Sequence, residues 1–176
     1  NGTLQDIAEQ VGMTHADILH PFGSKDQLLL EVLEHRDQTD VVDLDGGRIP
    51  GGMELFRHLV HTAMMNMRRA GIVQAYAVLS AESVTDDHPG RSYFEHRYTV
   101  LRKDLREAFE RICQERGITE PGSIAHGSAA ILAVMDGLQI QWLLDPTAVD
   151  LGRASEFAIE AIVAAVIEPR RSVLET

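Results

Sequence analysis

The sequence predicts an all-α fold, and three observations carry that expectation. Apolar residues recur at the spacing of a helix face along almost the whole chain, and no segment alternates cleanly over the length of a strand. Between those positions stand Ala, Leu, Glu, Arg and Gln, the good helix formers. Gly, Pro and Asp clusters then interrupt the pattern at helix-length intervals.

The elements follow in order. Thr3 is placed to cap a helix over 4–11, with Asp6 at the capping-box distance, and Gly12 stops it. Thr14 caps a second helix running to about His20, with Asp17 three residues on and Pro21 behind it. Ser24 caps a third, longer helix that begins Lys25-Asp26-Gln27 and turns Leu28, Leu29, Val32 and Leu33 inward. It fades at 43–47, and Pro50-Gly51-Gly52 completes a breaker-rich loop. Leu55, Phe56, Leu59, Val60, Ala63, Met64 and Met67 make the buried stripe of the next helix, which Gly71 ends or bends. A shorter helix covers 72–84, and 85–90 is a turn. A long helix then runs to about Arg116, with Phe94, Tyr98, Leu101, Leu105, Ala108 and Ile112 on one face. Gly117 and Pro121 precede two last helices over about 122–144 and 149–167, divided by Asp145-Pro146.

Those last two differ from the rest. The penultimate is apolar around most of its girth, and the final one is rich in alanine. A helix apolar on all sides needs cover on all sides, and in a chain of 176 residues a second subunit is the natural cover. Alanine faces let helix axes approach closely. Ile131, Ala154, Phe157, Ala158, Ala161, Ile162 and Ala165 are therefore the expected dimer interface.

Composition bounds the function. With 44% hydrophobic and 24% charged residues, the chain suits one compact core, or one core with a small appended module. No run of about 18 apolar residues and no secretory leader pattern is visible. The lone Cys113 forbids an internal disulfide, so a reducing cytoplasm fits best. Sixteen basic residues face 27 acidic ones, a net charge of −11, which counts against a general nucleic-acid binder.

The first 22 residues nevertheless fit a helix-turn-helix by position. Ala8 is small where two helices must touch, and Gly12 stands four residues later at the turn. Ile18 comes six residues beyond Gly12, and Ile7 and Met13 complete a small core. Short helix pairs also occur in plain bundles.

Other signals have a bland reading beside the sharp one. Phe56, Met64, Met67, Tyr76, Phe94, Tyr98, Met135 and Trp142 could line an adaptable apolar pocket or simply pack a core. Gln139, Tyr98 and Tyr76 are the candidate polar contacts there. Glu54, His58 and His61 share a helix face at metal-ligand spacing, but Arg57 and Arg68 beside them favour a solvated surface, so no metal is expected. Ser80, Ser83 and Ser128 lack a nucleophile elbow, and no Gly-rich phosphate loop is present, so no catalytic residue and no cofactor is expected.

The run from Thr3 to Thr14 and the run Ile18-Leu-His-Pro-Phe-Gly-Ser-Lys-Asp-Gln-Leu-Leu closely resemble the TetR family of bacterial repressors. Phe22-Gly23-Ser24-Lys25, leading into the next helix, is the most recognisable part, and 135–146 looks like the penultimate helix of many members. The resemblance implies a helix-turn-helix DNA-binding domain over 1–37 and a larger helical ligand-binding and dimerisation domain over 38–176. It implies two recognition helices entering successive major grooves of a near-palindromic operator, with a small-molecule effector releasing the DNA. Mapped here, His15, Ala16 and Asp17 face base edges, whereas Thr3, Thr14, His20, Ser24 and Lys25 suit phosphate.

Leu19 stands where the family usually has Tyr, and Pro21 where it commonly has His, which implies fewer operator contacts. The resemblance also implies a helix before Thr3 that the sequence lacks. Over 1–37 only Lys25 and Arg36 stand against Asp6, Glu9, Asp17, Asp26, Glu31, Glu34 and Asp37, a net of −5. The expectation is a homodimeric, effector-released DNA-binding repressor, incomplete at its N-terminus, that binds double-stranded operator DNA and no membrane. The alternative is a ligand-binding helical dimer whose DNA binding is weakened or lost.

Overall fold

The computed structural model describes residues 12–42 and 49–169. Among the described residues all regular structure is helical, with no strand. The helices are α1 (His15–Leu19), α2 (Lys25–Val42), α3 (Met53–Asn66), α4 (Ala70–Glu82), α5 (Arg91–Arg116), α6 (Ile124–Leu144) and α7 (Leu151–Ile167). The helix expected over 4–11, the loop at 43–47 and Thr3 lie outside the described residues, as do the side chains of His15 and Ile18. Residues 12–42 and 78–94 belong to one compact unit, and 49–77 and 95–169 to another. The expected domain boundary at residue 37 therefore falls inside α2.

In the first unit, α1 starts where its cap dictates. Thr14 is extended at the N-cap, and its hydroxyl accepts from the Asp17 N–H at 3.1 Å. Gly12 supplies the positive φ (67°) that the preceding turn requires. The helix ends after five residues. The Phe22 and Gly23 N–H groups both close on the Leu19 carbonyl, at 3.0 and 2.7 Å, with Gly23 at φ 77°. Ser24 then opens α2, its hydroxyl accepting from Gln27 N–H at 3.1 Å. Leu30 and Leu33 are the buried positions of α2 among the described side chains, whereas Val32, expected inward, is exposed because it lies about 100° round the helix from Leu33 and about 160° from Leu30. Leu79 and Phe94 are buried in this unit too, and Phe94 meets the Tyr93 ring edge-on at 4.9 Å.

The second unit holds the large core. Leu55 and Phe56 of α3, Leu105, Phe109 and Ile112 of α5, Ile131 and Met135 of α6, and Ile159 and Val163 of α7 form one cluster. The Phe56 and Phe109 rings meet at a tilt of 49°, with 4.7 Å between centroids. Each fully buried large side chain contributes roughly 1.5–3 kcal/mol relative to exposure. Ala63, Val73, Trp142 and Leu151 form a smaller cluster. Ser123 and Asp150 cap α6 and α7, accepting from the N–H groups of His126 and Arg153.

The helix break expected at Gly71 is corrected. The break after α3 comes at 67–69, where the Arg68 and Arg69 N–H groups turn back tightly on Met65 and Asn66, and Gly71 sits inside the first turn of α4. Among the described residues, α6 is the helix whose length and apolarity would suffice to cross a membrane. It carries Asp136 at mid-length and buries Ile131, Leu132, Met135 and Trp142 within its own chain, as a core helix does.

Candidate DNA-reading segment and effector site

The segment from Thr14 to Lys25 presents several exposed side chains. Thr14, Ala16, Asp17, His20, Ser24 and Lys25 are all exposed, while Leu19 and Phe22 are half-buried. Two α-helical starts fall within these few residues, so free backbone N–H groups and the positive ends of two helices lie on the same stretch. Pro21 follows the C-cap His20 and limits α1 to its single turn and a half.

Thr14 and Asp17 form a reciprocal capping box. Asp17 Oδ2 accepts from the Thr14 N–H at 3.0 Å and from the Thr14 hydroxyl at 2.6 Å. Those donors, the hydroxyl first and the backbone N–H second, hold the Asp17 carboxyl below the usual carboxylate range. The hydroxyl proton of Thr14, expected at phosphate, is thereby committed to Asp17. One oxygen of Asp17, Oδ2, is likewise committed to the cap. Ser24 uses its oxygen as an acceptor for Gln27 N–H and keeps its proton available as a donor.

The second unit contains a polar cluster in otherwise apolar surroundings. Tyr98 donates its hydroxyl proton to Asp136 Oδ2 at 2.6 Å, and the Tyr76 hydroxyl donates to that of Tyr98 at 3.4 Å. The Arg97 guanidinium lies 5.4 Å above the Tyr76 ring. Burial pushes the Asp136 carboxyl above its ordinary range, while the Tyr98 hydrogen bond and the Arg97 charge oppose that rise. Burial also pushes both phenols up, with Asp136 adding to the effect. Tyr76 and Tyr98 were legible as polar candidates, whereas Asp136 and Arg97 were not singled out. The signal was there: Asp136 is a carboxylate inside an apolar stretch, and a charge so placed requires a partner.

Of the other expected pocket residues, Phe56 and Met135 lie in the core cluster against which Tyr98 packs, and the rest are dispersed. Trp142 belongs to the smaller cluster. Phe94 belongs to the other unit. Met64 and Met67 are exposed, and Gln139 is half-buried. Of the expected interface, Ile131 is fully buried within its own chain and offers no surface, because its side of α6 faces the core. Ala154, Ala158 and Ile162 are half-buried, whereas Phe157, Ala161 and Ala165 are exposed on one side of α7. Phe157 is 76% exposed, and Ile140 and Leu144 of α6 are exposed as well.

Ser83, His88 and Glu82 superficially resemble a nucleophile–base–acid series, with Ser83 Oγ 3.0 Å from His88 Nδ1 and Glu82 4.0 Å from Nε2. The Gly90 N–H donates to the same Nδ1 at 3.1 Å, and Ser83 is buried. The set closes the turn between α4 and α5. No three His, Cys, Asp or Glu side chains converge on a metal position among the described residues.

Comparison with known proteins agrees with this organisation. Residues 54–167 match the model of the BetI-type transcriptional repressor C-terminal domain, and residues 1–32 match that of the bacterial regulatory proteins of the tetR family. The chain is similar to the HTH-type transcriptional regulator BetI of Agrobacterium fabrum, with 29% identity over 157 residues covering 88% of this chain and 73% of that protein. A helix-turn-helix match followed by a repressor-domain match over most of the helical remainder makes this chain a DNA-binding transcriptional regulator of the TetR family.

Proposed function

We propose that the protein is a homodimeric cytoplasmic repressor, reading a near-palindromic operator through α1 and the start of α2 and releasing it when a small molecule binds the unit of 49–77 and 95–169. The observation that carries this reading is the exposed, doubly capped stretch from Thr14 to Lys25. His15, Ala16 and Asp17 are assigned to base edges, and Thr3, Thr14, His20, Ser24 and Lys25 to phosphates, Thr14 through a hydroxyl that must leave Asp17 to do so. Effector recognition is assigned to Tyr76 and Tyr98, with Asp136 and Arg97 joining them and Gln139 on the same helix as Asp136. Dimerisation is assigned to the exposed side of α7 around Phe157, Ala161 and Ala165, with Ile140 and Leu144 of α6. The role requires no chemical step, cofactor or metal.

Selection of bound duplexes from a random pool tests the reading, using the chain together with any residues that precede it in the native protein. Enrichment of an inverted repeat with half-sites about one helical turn apart, or a small multiple, is expected. A folded dimer that enriches nothing at low salt would favour the second reading, a ligand-binding dimer with weakened DNA binding. Leu19 and Pro21, and the net charge of −5 over 1–37, are what favour it.

A further inference from the structure

The capping box of α1 decides what Asp17 can offer to a base. Every donor at the box is used inside it. The Thr14 N–H and hydroxyl both go to Asp17 Oδ2, at 3.0 and 2.6 Å, and the Asp17 N–H goes to Thr14 Oγ1 at 3.1 Å. Among the described residues nothing donates to Oδ1. Asp17 is exposed, and the exposed Ala16 beside it has no polar side-chain group. The box therefore holds the carboxylate in place and turns a pure acceptor outward.

An acceptor without donors discriminates among bases in the major groove. Guanine presents N7 and O6 there, and thymine presents O4, so the polar groups of both edges are acceptors. A carboxylate set against either is repelled, as it is by phosphate. Adenine offers its N6 amino group with the N7 acceptor immediately beside it, whereas cytosine offers the N4 amino group with no acceptor on the same edge. The two Thr14 donors keep the Asp17 carboxyl ionised at neutral pH, so it does not become a donor itself. Asp17 is the third residue of α1, in the N-terminal turn that meets base edges in a helix-turn-helix.

We propose that Asp17 is a specificity-determining residue that selects cytosine at one position of each operator half-site: it accepts from the N4 amino group through the oxygen that the box leaves unbonded, and it repels the acceptor edges of guanine and thymine. This rests on the repressor reading and names the base that its site takes. It also gives a use to an acidic side chain in a segment that must approach a polyanion. The carboxylate is unfavourable everywhere on the duplex except against an amino group, so selectivity comes from rejecting wrong bases as much as from holding the right one.

Binding titrations with base-pair variants test it. The duplex enriched from the random pool is remade with each of the four base pairs at each half-site position in turn. The parent should show one position per half-site where cytosine is preferred to guanine and thymine by about tenfold or more. Asp17→Asn keeps an acceptor for Thr14, so the cap survives, and adds an amide donor. At that position alone the preference should pass from cytosine to adenine, which an amide meets at N6 and N7. Asp17→Ala should flatten the preference there to within about threefold and leave the other positions as they are. Circular dichroism shows whether each variant is folded, and Asp17→Asn decides where Asp17→Ala loses the helix. A residue acting as a cap alone would lower affinity for all four base pairs by one common factor. That result, or a parent with no cytosine position that depends on Asp17, would overturn the assignment. A folded parent dimer that enriches no duplex refutes the repressor reading, and this assignment with it.

Discussion

A Cβ placed on Gly122 would stand 2.7 Å from the carbonyl oxygen of Ala165 and 3.2 Å from Val166 Cα. The Gly122 N–H donates to Val166 O at 2.8 Å, so the strand of chain entering α6 lies backbone against backbone on the last turns of α7. Nothing on the α7 side can rotate away. Gly122→Ala should therefore cost about 1–3 kcal/mol. Gly71→Ala is the matched comparison, because it has open space at its Cβ and lies in the first turn of α4. It should be neutral or stabilise by up to about 1 kcal/mol. Thermal unfolding of both variants checks the pair, and equal midpoints would contradict the close approach.

The raised Asp136 carboxyl makes stability depend on pH in a definite direction. A carboxyl whose folded pKa exceeds its unfolded value of about 3.9 contributes fully below that value and loses the contribution as pH rises through the folded pKa. At neutral pH the ionised group therefore weighs against the folded state. Asp136→Asn accepts from Tyr98 without ionising, so its stability relative to the parent should climb as pH is raised from about 4 through the folded pKa. Denaturant midpoints at a series of pH values measure this, and a pH-independent difference would refute it.

Lys25 and His15 should separate positioning from reading. Lys25→Ala should weaken binding about equally for all duplexes and reduce the slope of log affinity against log salt by about one. His15→Ala should change which bases are preferred and leave that slope in place. Titrations at several salt concentrations, with the enriched duplex and with single-base variants of it, distinguish the two outcomes.

Phe157 and Ala161 lie one turn apart on the exposed side of α7. Because neither packs inside the chain, Phe157→Glu or Ala161→Glu should leave the monomer fold intact and convert dimer to monomer. Sedimentation with circular dichroism separates the cases: a dimer surviving both substitutions moves the interface elsewhere.

Local rules made much of the fold legible. Thr14 and Ser24 announced their helices because a side-chain cap is a contact of near neighbours, and Gly12 announced its positive φ for the same reason. Leu105, Ala108 and Ile112 followed from the spacing of their long helix. What stayed hidden depends on contacts between distant positions. Asp37 meets Tyr93 across 56 residues, and Asp136 meets Tyr98 across 38, so neither pair leaves a mark on local periodicity. Apolarity also failed to assign sides. Ile131 and Ile140 are the same residue type on one helix, but the first is fully buried and the second 47% exposed. Only the packing of α6 against its neighbours decides between them.

The capping box at α1 separates two demands that fall on one short stretch of chain. Its three bonds run between Thr14 and Asp17. The start of α1 is therefore fixed by a pair of residues that flanks positions 15 and 16. If positions 15 and 16 read bases, as proposed, substitutions there should change operator preference while leaving the cap that starts the helix in place.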